Sequence, residues 1–449
     1  MIRFLPAILV TLAVAPATAA GAGPTVYRLA EDGGNPQLGV DASGAAVAAW
    51  QSGAPKLGGM PYETTRAVFV SLRRAGGGFD KPRPITRLDL GVLGFGLAVG
   101  AGGDGAVVWQ ADGAGAQVYV NRRRPAEGFG AAAALAGSRG GTAPVAALDA
   151  RGRLLVAWLR PARRDRCGMV VMAAVAPRGG PFRAPRRVSD ACAHAAYLRA
   201  ALARAGDGAV AWRSAGARSA VSRSTIRVSA FADGRFRPQH TVSEAGGVGE
   251  TLALASGGHR TVAAWRDKRE AGNRVLASAI DGRRIGAAVV VQATRDTLLS
   301  DVELAMSPRD AAIVAWQSAR RGASVWDASA NGEVAIRATP AGPFGAPETV
   351  VRGTETASDY GLTGLAMDAR GRALAGYGDI VRRRSPAGTW GREIALRHRA
   401  DFGDPDWPPS GDDISVGLSD AGEGVAIWDL EGADGGSDYM RAAVIPALR

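Results

Sequence analysis

Three long stretches of the chain read as loops, and in them carboxylates stand beside aromatic side chains. Tyr62 and Glu63 fall in the first, between Ser52 and Arg66. Trp326 and Asp327 fall in the second, between Ser318 and Gly332, and Asp404, Asp406 and Trp407 in the third, between Arg397 and Asp412. Asp359, Tyr360, Asp429 and Asp438 join them in the repeat frame described below. Aromatic rings stack on sugar faces, while carboxylates bond hydroxyls, bind calcium or act together as acid and base. These residues form the candidate ligand-binding set. The spacing of Asp401, Asp404, Asp406, Asp412 and Asp413 lacks EF-hand order, and Pro405, Pro408 and Pro409 stiffen that loop. Calcium is therefore a secondary expectation, and no cofactor is assigned.

Nucleophilic catalysis finds little support. The histidines are His194, His240, His259 and His398, each in a different phase of the repeat, so no Ser-His-Asp set can be assembled and no catalytic residue is assigned. Phe182-Arg183-Ala184-Pro185 is similar to the F-R-I-P motif of sialidases. It occupies the same phase as Phe344-Gly345-Ala346-Pro347, which has no Arg, and so reads as a turn of the repeat. Asp41, Asp149 and Asp368 read as caps of a hairpin, because Asp accepts hydrogen bonds from nearby backbone N–H groups. Cys167 and Cys192 are the only cysteines, and with His194 they fall short of a zinc tetrahedron. In an exported chain they are expected to form a disulfide.

What positions these residues is a unit that recurs along the chain. An apolar strand leads through a turn such as Asp41-Ala42-Ser43-Gly44, Asp149-Ala150-Arg151-Gly152 or Asp368-Ala369-Arg370-Gly371 into a second apolar strand ending in an aromatic residue. The aromatics are Trp50, Trp109, Trp158, Trp212, Trp265, Trp316, Tyr377 and Trp428. They recur about every 50 to 60 residues, the length of a four-stranded propeller blade, and their locked phase marks them as core between blades. A third strand, a Gly-rich turn and a fourth strand complete each unit, as in Val68 to Leu72, Gly76 to Pro82 and Pro84 to Thr86. The units run approximately over 37–88, 91–137, 143–190, 197–244, 248–293, 299–352, 361–398 and 412–449.

The last unit lacks a fourth strand, and residues 24–30 resemble the fourth strand at Pro82 to Leu88. The expected fold is all-β: a propeller, with eight blades favoured over seven, closed when the N-terminal strand completes the last blade. Closure removes exposed strand edges. On these features the chain resembles secreted bacterial β-propeller proteins. It lacks the G-H and W-D pairs of WD40 repeats and the Asp-box spacing of sialidases, so the resemblance implies an architecture and no activity.

Residues 1–20 read as a signal peptide: Arg3 precedes an apolar run from Phe4 to Ala15, and Ala17-Thr18-Ala19 is a cleavage site. No later segment is apolar enough to span a membrane, so a secreted or periplasmic monomer is expected. The formal charge of +12 comes almost wholly from scattered Arg without a nucleic-acid-binding signature, so nucleic acid is not an expected partner. The leading expectation is a non-catalytic binding module for a glycan, peptide or envelope polymer, acting through the face where the long loops emerge. The alternatives are a glycan hydrolase or lyase with a carboxylate pair, and a purely structural propeller.

Overall fold

The computed structural model describes residues 23–447, apart from 55–64, 88–90, 113–115, 126, 163–167, 216–223, 245–247, 270–271, 321–330, 353–361, 379, 397–412 and 431–438. The described residues form eight antiparallel sheets, each of four successive strands. In blades two, four and five the outermost strand is split into two short pieces, both paired to the third strand. The eighth sheet is completed by Thr25–Ala30, which pairs antiparallel with Tyr439–Ile445. The ring thus closes as the sequence predicts, with eight blades rather than seven.

The innermost strands of the blades are Gly34–Val40, Val92–Val99, Thr142–Leu148, Ala195–Leu202, Val248–Ser256, Thr297–Met306, Leu362–Met367 and Ile414–Leu418. Each touches the next around the whole ring, the last touching the first. Small residues permit this approach. A Cβ at Gly39 would lie 2.2 Å from Val99, and one at Gly417 would lie 2.2 Å from Val40.

Eight apolar clusters hold the ring, each shared by two neighbouring blades. The repeated aromatics sit inside them and none is more than 3% exposed, which establishes the packing role read from their period. Tyr377 fills the position in blade seven. The aromatic residues of the later Gly-rich turns, among them Phe79, Phe182 and Phe344, pack against the same clusters.

The hairpin between the first two strands is fixed by its turn aspartate. Asp41 Oδ1 accepts from the N–H groups of Ser43 and Ala45 at 2.9 and 3.0 Å, Asp149 Oδ1 from Arg151 and Arg153 at 2.9 and 2.8 Å, and Asp368 Oδ1 from Arg370 and Arg372 at 2.8 and 2.9 Å. Ser307 does the same work in blade six, its Oγ accepting from Arg309 and Ala311 at 3.2 and 3.1 Å. Arginines then tie one blade to the next. The buried Arg73 of blade one donates to Glu423 of blade eight at 2.7 Å, and Arg372 of blade seven donates to Asp420 O at 2.8 Å. Much of the Arg content is therefore structural, where composition alone reads as solvated surface.

Candidate functional site

The hairpins lie on one face of the ring. With the exception of residue 126, the internal segments outside the description fall between second and third strands or between blades, so the strand ends that flank them share the opposite, loop-side face. Tyr62, Glu63, Trp326, Asp327, Asp359, Tyr360, Asp404, Asp406, Trp407 and Asp438 belong to those segments and lie outside the described residues, as do Cys167 and residues 1–20. Asp429 is described. It follows the core Trp428, is buried, and accepts from the N–H of Asp413 at 2.9 Å, which fixes the start of the innermost strand of blade eight. Neighbouring blades use the same position, next to the core aromatic, to hold the following blade. Gln51 donates to Val92 O at 3.0 Å, and Arg266 to Leu299 O at 2.8 Å.

A different constellation is described, along the axis. Near its loop-side end every innermost strand but that of blade eight carries a register shift, and at this bulge Asn35, Ala143, Tyr197 and Asp301 adopt φ values of 56°, 46°, 51° and 45°. Such left-handed positions cost about 1–3 kcal/mol each for residues with a Cβ and persist where the surrounding structure imposes them. Asn35, Ala143, Tyr197 and Asp301 are all exposed, and two residues further along, Arg199 and Glu303 also keep solvent access.

Glu303 belongs to blade six, yet its carboxyl feels Arg199 of blade four and Asp413 of blade eight, each two blades away. Only a position facing the axis accounts for that. Burial in the channel is the main influence on Glu303 and pushes its carboxyl up to about 7. Arg199 pulls it down, while Asp301 and Asp413 push it up. Burial also raises the carboxyl of Asp413 above its ordinary value. Among the described residues Glu303 and Arg199 enter no ion pair. Tyr197 presents its ring at this mouth, backed by the Arg213 guanidinium 4.3 Å from its centre.

The hairpin-side mouth differs. A cavity of about 300 Å³ there is ringed by the last residues of the innermost strands, from Val40 and Val99 through Met306 and Met367 to Leu418. Its Asp41 and Asp368 carboxylates are committed to their own turns. Arg204 and Asp420 also line it. No group of three or more His, Cys, Asp or Glu among the described residues is placed to hold a metal ion.

Sequence reasoning missed Tyr197, Arg199, Asp301 and Glu303 because they lie inside strands rather than in long loops. A signal was present. At the phase of Arg199 and Glu303 other blades carry Gly96, Val145, Ala253 and Gly364, so a charged residue breaks a small or apolar ring position.

No protein-family model matches the chain, and no curated protein does. Among solved structures it is similar to a polysaccharide lyase, an ulvan lyase, with TM-score 0.48 and 10% identity over 92% of this chain and 94% of that one. An α-L-arabinofuranosidase from Fusarium graminearum gives TM-score 0.40 and 14% identity over 68% and 93%. A prolyl endopeptidase gives 0.47 and 15% over 91% of this chain, which spans about half (54%) of that protein's length. No helix among the described residues is long and apolar enough to cross a membrane. The strand pairing itself establishes an eight-bladed β-propeller whose axial channel carries charged side chains.

Proposed function

We propose that the protein is an exported recognition module that holds a saccharide at the loop-side mouth of its axial channel. The observation that carries this reading is the charge coupling of Glu303 and Arg199 on innermost strands two blades apart, neither in an ion pair among the described residues, with the exposed Tyr197 ring two residues from Arg199. A sugar offers hydroxyls to the two charged groups and an apolar face to the ring. The loops that carry Trp326, Trp407 and their neighbouring carboxylates leave from strand ends on the same face and would extend the site. Residues 1–20 would direct export.

A second reading is a glycan hydrolase, and Glu303 favours it. A carboxyl that titrates near 7 can donate a proton to a leaving oxygen. Asp301 stands two residues earlier, at the bulge of the same strand, and its charge helps raise the Glu303 carboxyl, as an acid pair requires.

The test is binding of the mature protein to a glycan array with and without calcium, each hit then being incubated and assayed for cleavage. Binding without product that is lost in Tyr197→Ala and Arg199→Ala supports the recognition module. Product formation abolished by Glu303→Gln replaces it with the hydrolase. An array with no bound glycan overturns both.

A further inference from the structure

On the hairpin-side face, away from the axial site, blades two and three leave a groove of about 440 Å³ between them. Four guanidinium groups line it, from Arg122, Arg123, Arg124 and Arg178, against the two carboxylates of Asp104 and Glu127. Two of the arginines have direct counter-ions. Arg178 meets Asp104 at 3.1 Å, and Arg124 meets Glu127 at 3.1 Å. The other two have none within ion-pair distance among the described residues. Arg122 lies over the Phe182 ring, 4.5 Å from its centre, and donates to Gly180 O at 2.7 Å, which leaves its charge uncompensated. Arg123 donates to Gly103 O, and its Nε is buried with no partner. Arg83 of blade one approaches the same edge, since a Cβ at Gly128 would lie 3.1 Å from its guanidinium.

Half-buried cations with little counter-charge are destabilised, and Arg123 has only Asp41 and Asp104, beyond ion-pair distance, to offset burial and the nearby Arg83. Burial lowers both Arg122 and Arg123 from their ordinary value, and for Arg122 it is the sole cause. An anion entering the groove would relieve that cost and meet N–H donors already directed by the backbone carbonyls beneath. We propose that this groove binds a sulfated or carboxylated segment of an acidic polysaccharide. Its volume suits a short oligosaccharide. Single-stranded nucleic acid fits it poorly, because bases need aromatic platforms and Arg122 covers the one ring that borders the groove.

The probe is a heparin-derived sulfated tetrasaccharide titrated calorimetrically into the full-length mature protein at low and high salt. Arg124→Ser removes an exposed guanidinium and is expected to weaken binding about tenfold, as loss of a charge-assisted contact does. Glu127→Gln removes a competing carboxylate and is expected to tighten it. Arg283→Ser makes the same change of charge between blades four and five, where Arg283 pairs with Asp233, and is expected to leave binding unchanged. Melting temperatures of all three report folding. The proposal is overturned if the tetrasaccharide does not bind, if Arg283→Ser weakens it as much as Arg124→Ser, or if Glu127→Gln fails to tighten it. It is equally overturned if a DNA oligonucleotide of equal charge displaces the sugar from this groove.

Discussion

Glu303 and Arg199 stand on the innermost strands of blades six and four, two blades apart around the axial channel, coupled in charge and joined by no ion pair. Some buried arginines of the fold are instead spent on carbonyls and carboxylates of a neighbouring blade. Arg73 and Arg383, for example, donate to groups of blade eight. Charge left without a partner in a poorly solvated channel costs stability and marks a place selected for something other than packing.

The first consequence is a pH dependence with a definite sign. Folding raises the Glu303 carboxyl from 4.5 to about 7, so between those values the folded chain holds a proton that the unfolded chain has released. Stability from this group therefore falls as pH rises through that window and levels off above it. Glu303→Gln removes the dependence. Urea unfolding is expected to show the variant more stable than the parent above about pH 7, by up to about 3 kcal/mol, and the two converging near pH 4. A parent whose stability rises through the window would contradict the placement of Glu303.

Trp265 is fully buried in the cluster shared by blades four and five, among Ala211, Val228 and Leu276. Trp265→Ala leaves a void that the flanking strands cannot fill, and is expected to cost about 3–5 kcal/mol in denaturant unfolding. Tyr377→Trp enlarges a ring that is 3% exposed within the cluster shared by blades six and seven. Overpacking there is expected to cost about 1–3 kcal/mol.

The architecture was legible because its period is carried by large residues with a single duty. Trp50, Trp158 and Trp212 mark the second strands, and Asp41, Asp149 and Asp368 mark the hairpins, so strand order and circular closure follow from spacing alone. The axial site was not legible for a physical reason. An exposed position on an innermost strand faces a channel rather than bulk water, and its sequence context, Ala-Ala-Tyr197-Leu-Arg199-Ala, reads as an ordinary strand. The bulges at Tyr197 and Asp301 leave both residues exposed, and no Gly or Pro in the sequence marks them. Asp429 stands beside a long loop, and in the structure it is buried and accepts from the N–H of Asp413.

The hairpin caps give a graded test. Asp149 is buried, caps two N–H groups and meets Arg153 at 3.3 Å. Asp149→Ala strands those donors and is expected to cost about 1–3 kcal/mol. Asp149→Ser is expected to recover much of that loss, since Ser307 performs the same capping in blade six with a hydroxyl. Equal losses for Ala and Ser would assign the stabilisation to the Arg153 ion pair instead.

A disulfide between Cys167 and Cys192 remains a proposal, and the described residues on either side supply its support. Gly168, which follows Cys167, has φ of 55°, and a Cβ there would lie 2.6 Å from Nδ1 of His194, two residues beyond Cys192. The carbonyls of this pair also anchor second strands, Gly168 O accepting from Ala162 N–H at 2.8 Å and His194 O from Ala215 N–H at 3.3 Å. Gly168 and His194, each next to or two residues from a cysteine in sequence, thus meet on the loop-side face. A crosslink there would stabilise mainly by restricting the unfolded chain, with an expected contribution of about 3 kcal/mol. Intact mass after alkylation without reductant is expected to be unchanged, and to rise by two alkyl groups after reduction. Alkylation of both thiols in the unreduced protein would dismiss the bond, and the melting temperature of Cys167→Ser should then equal that of the parent.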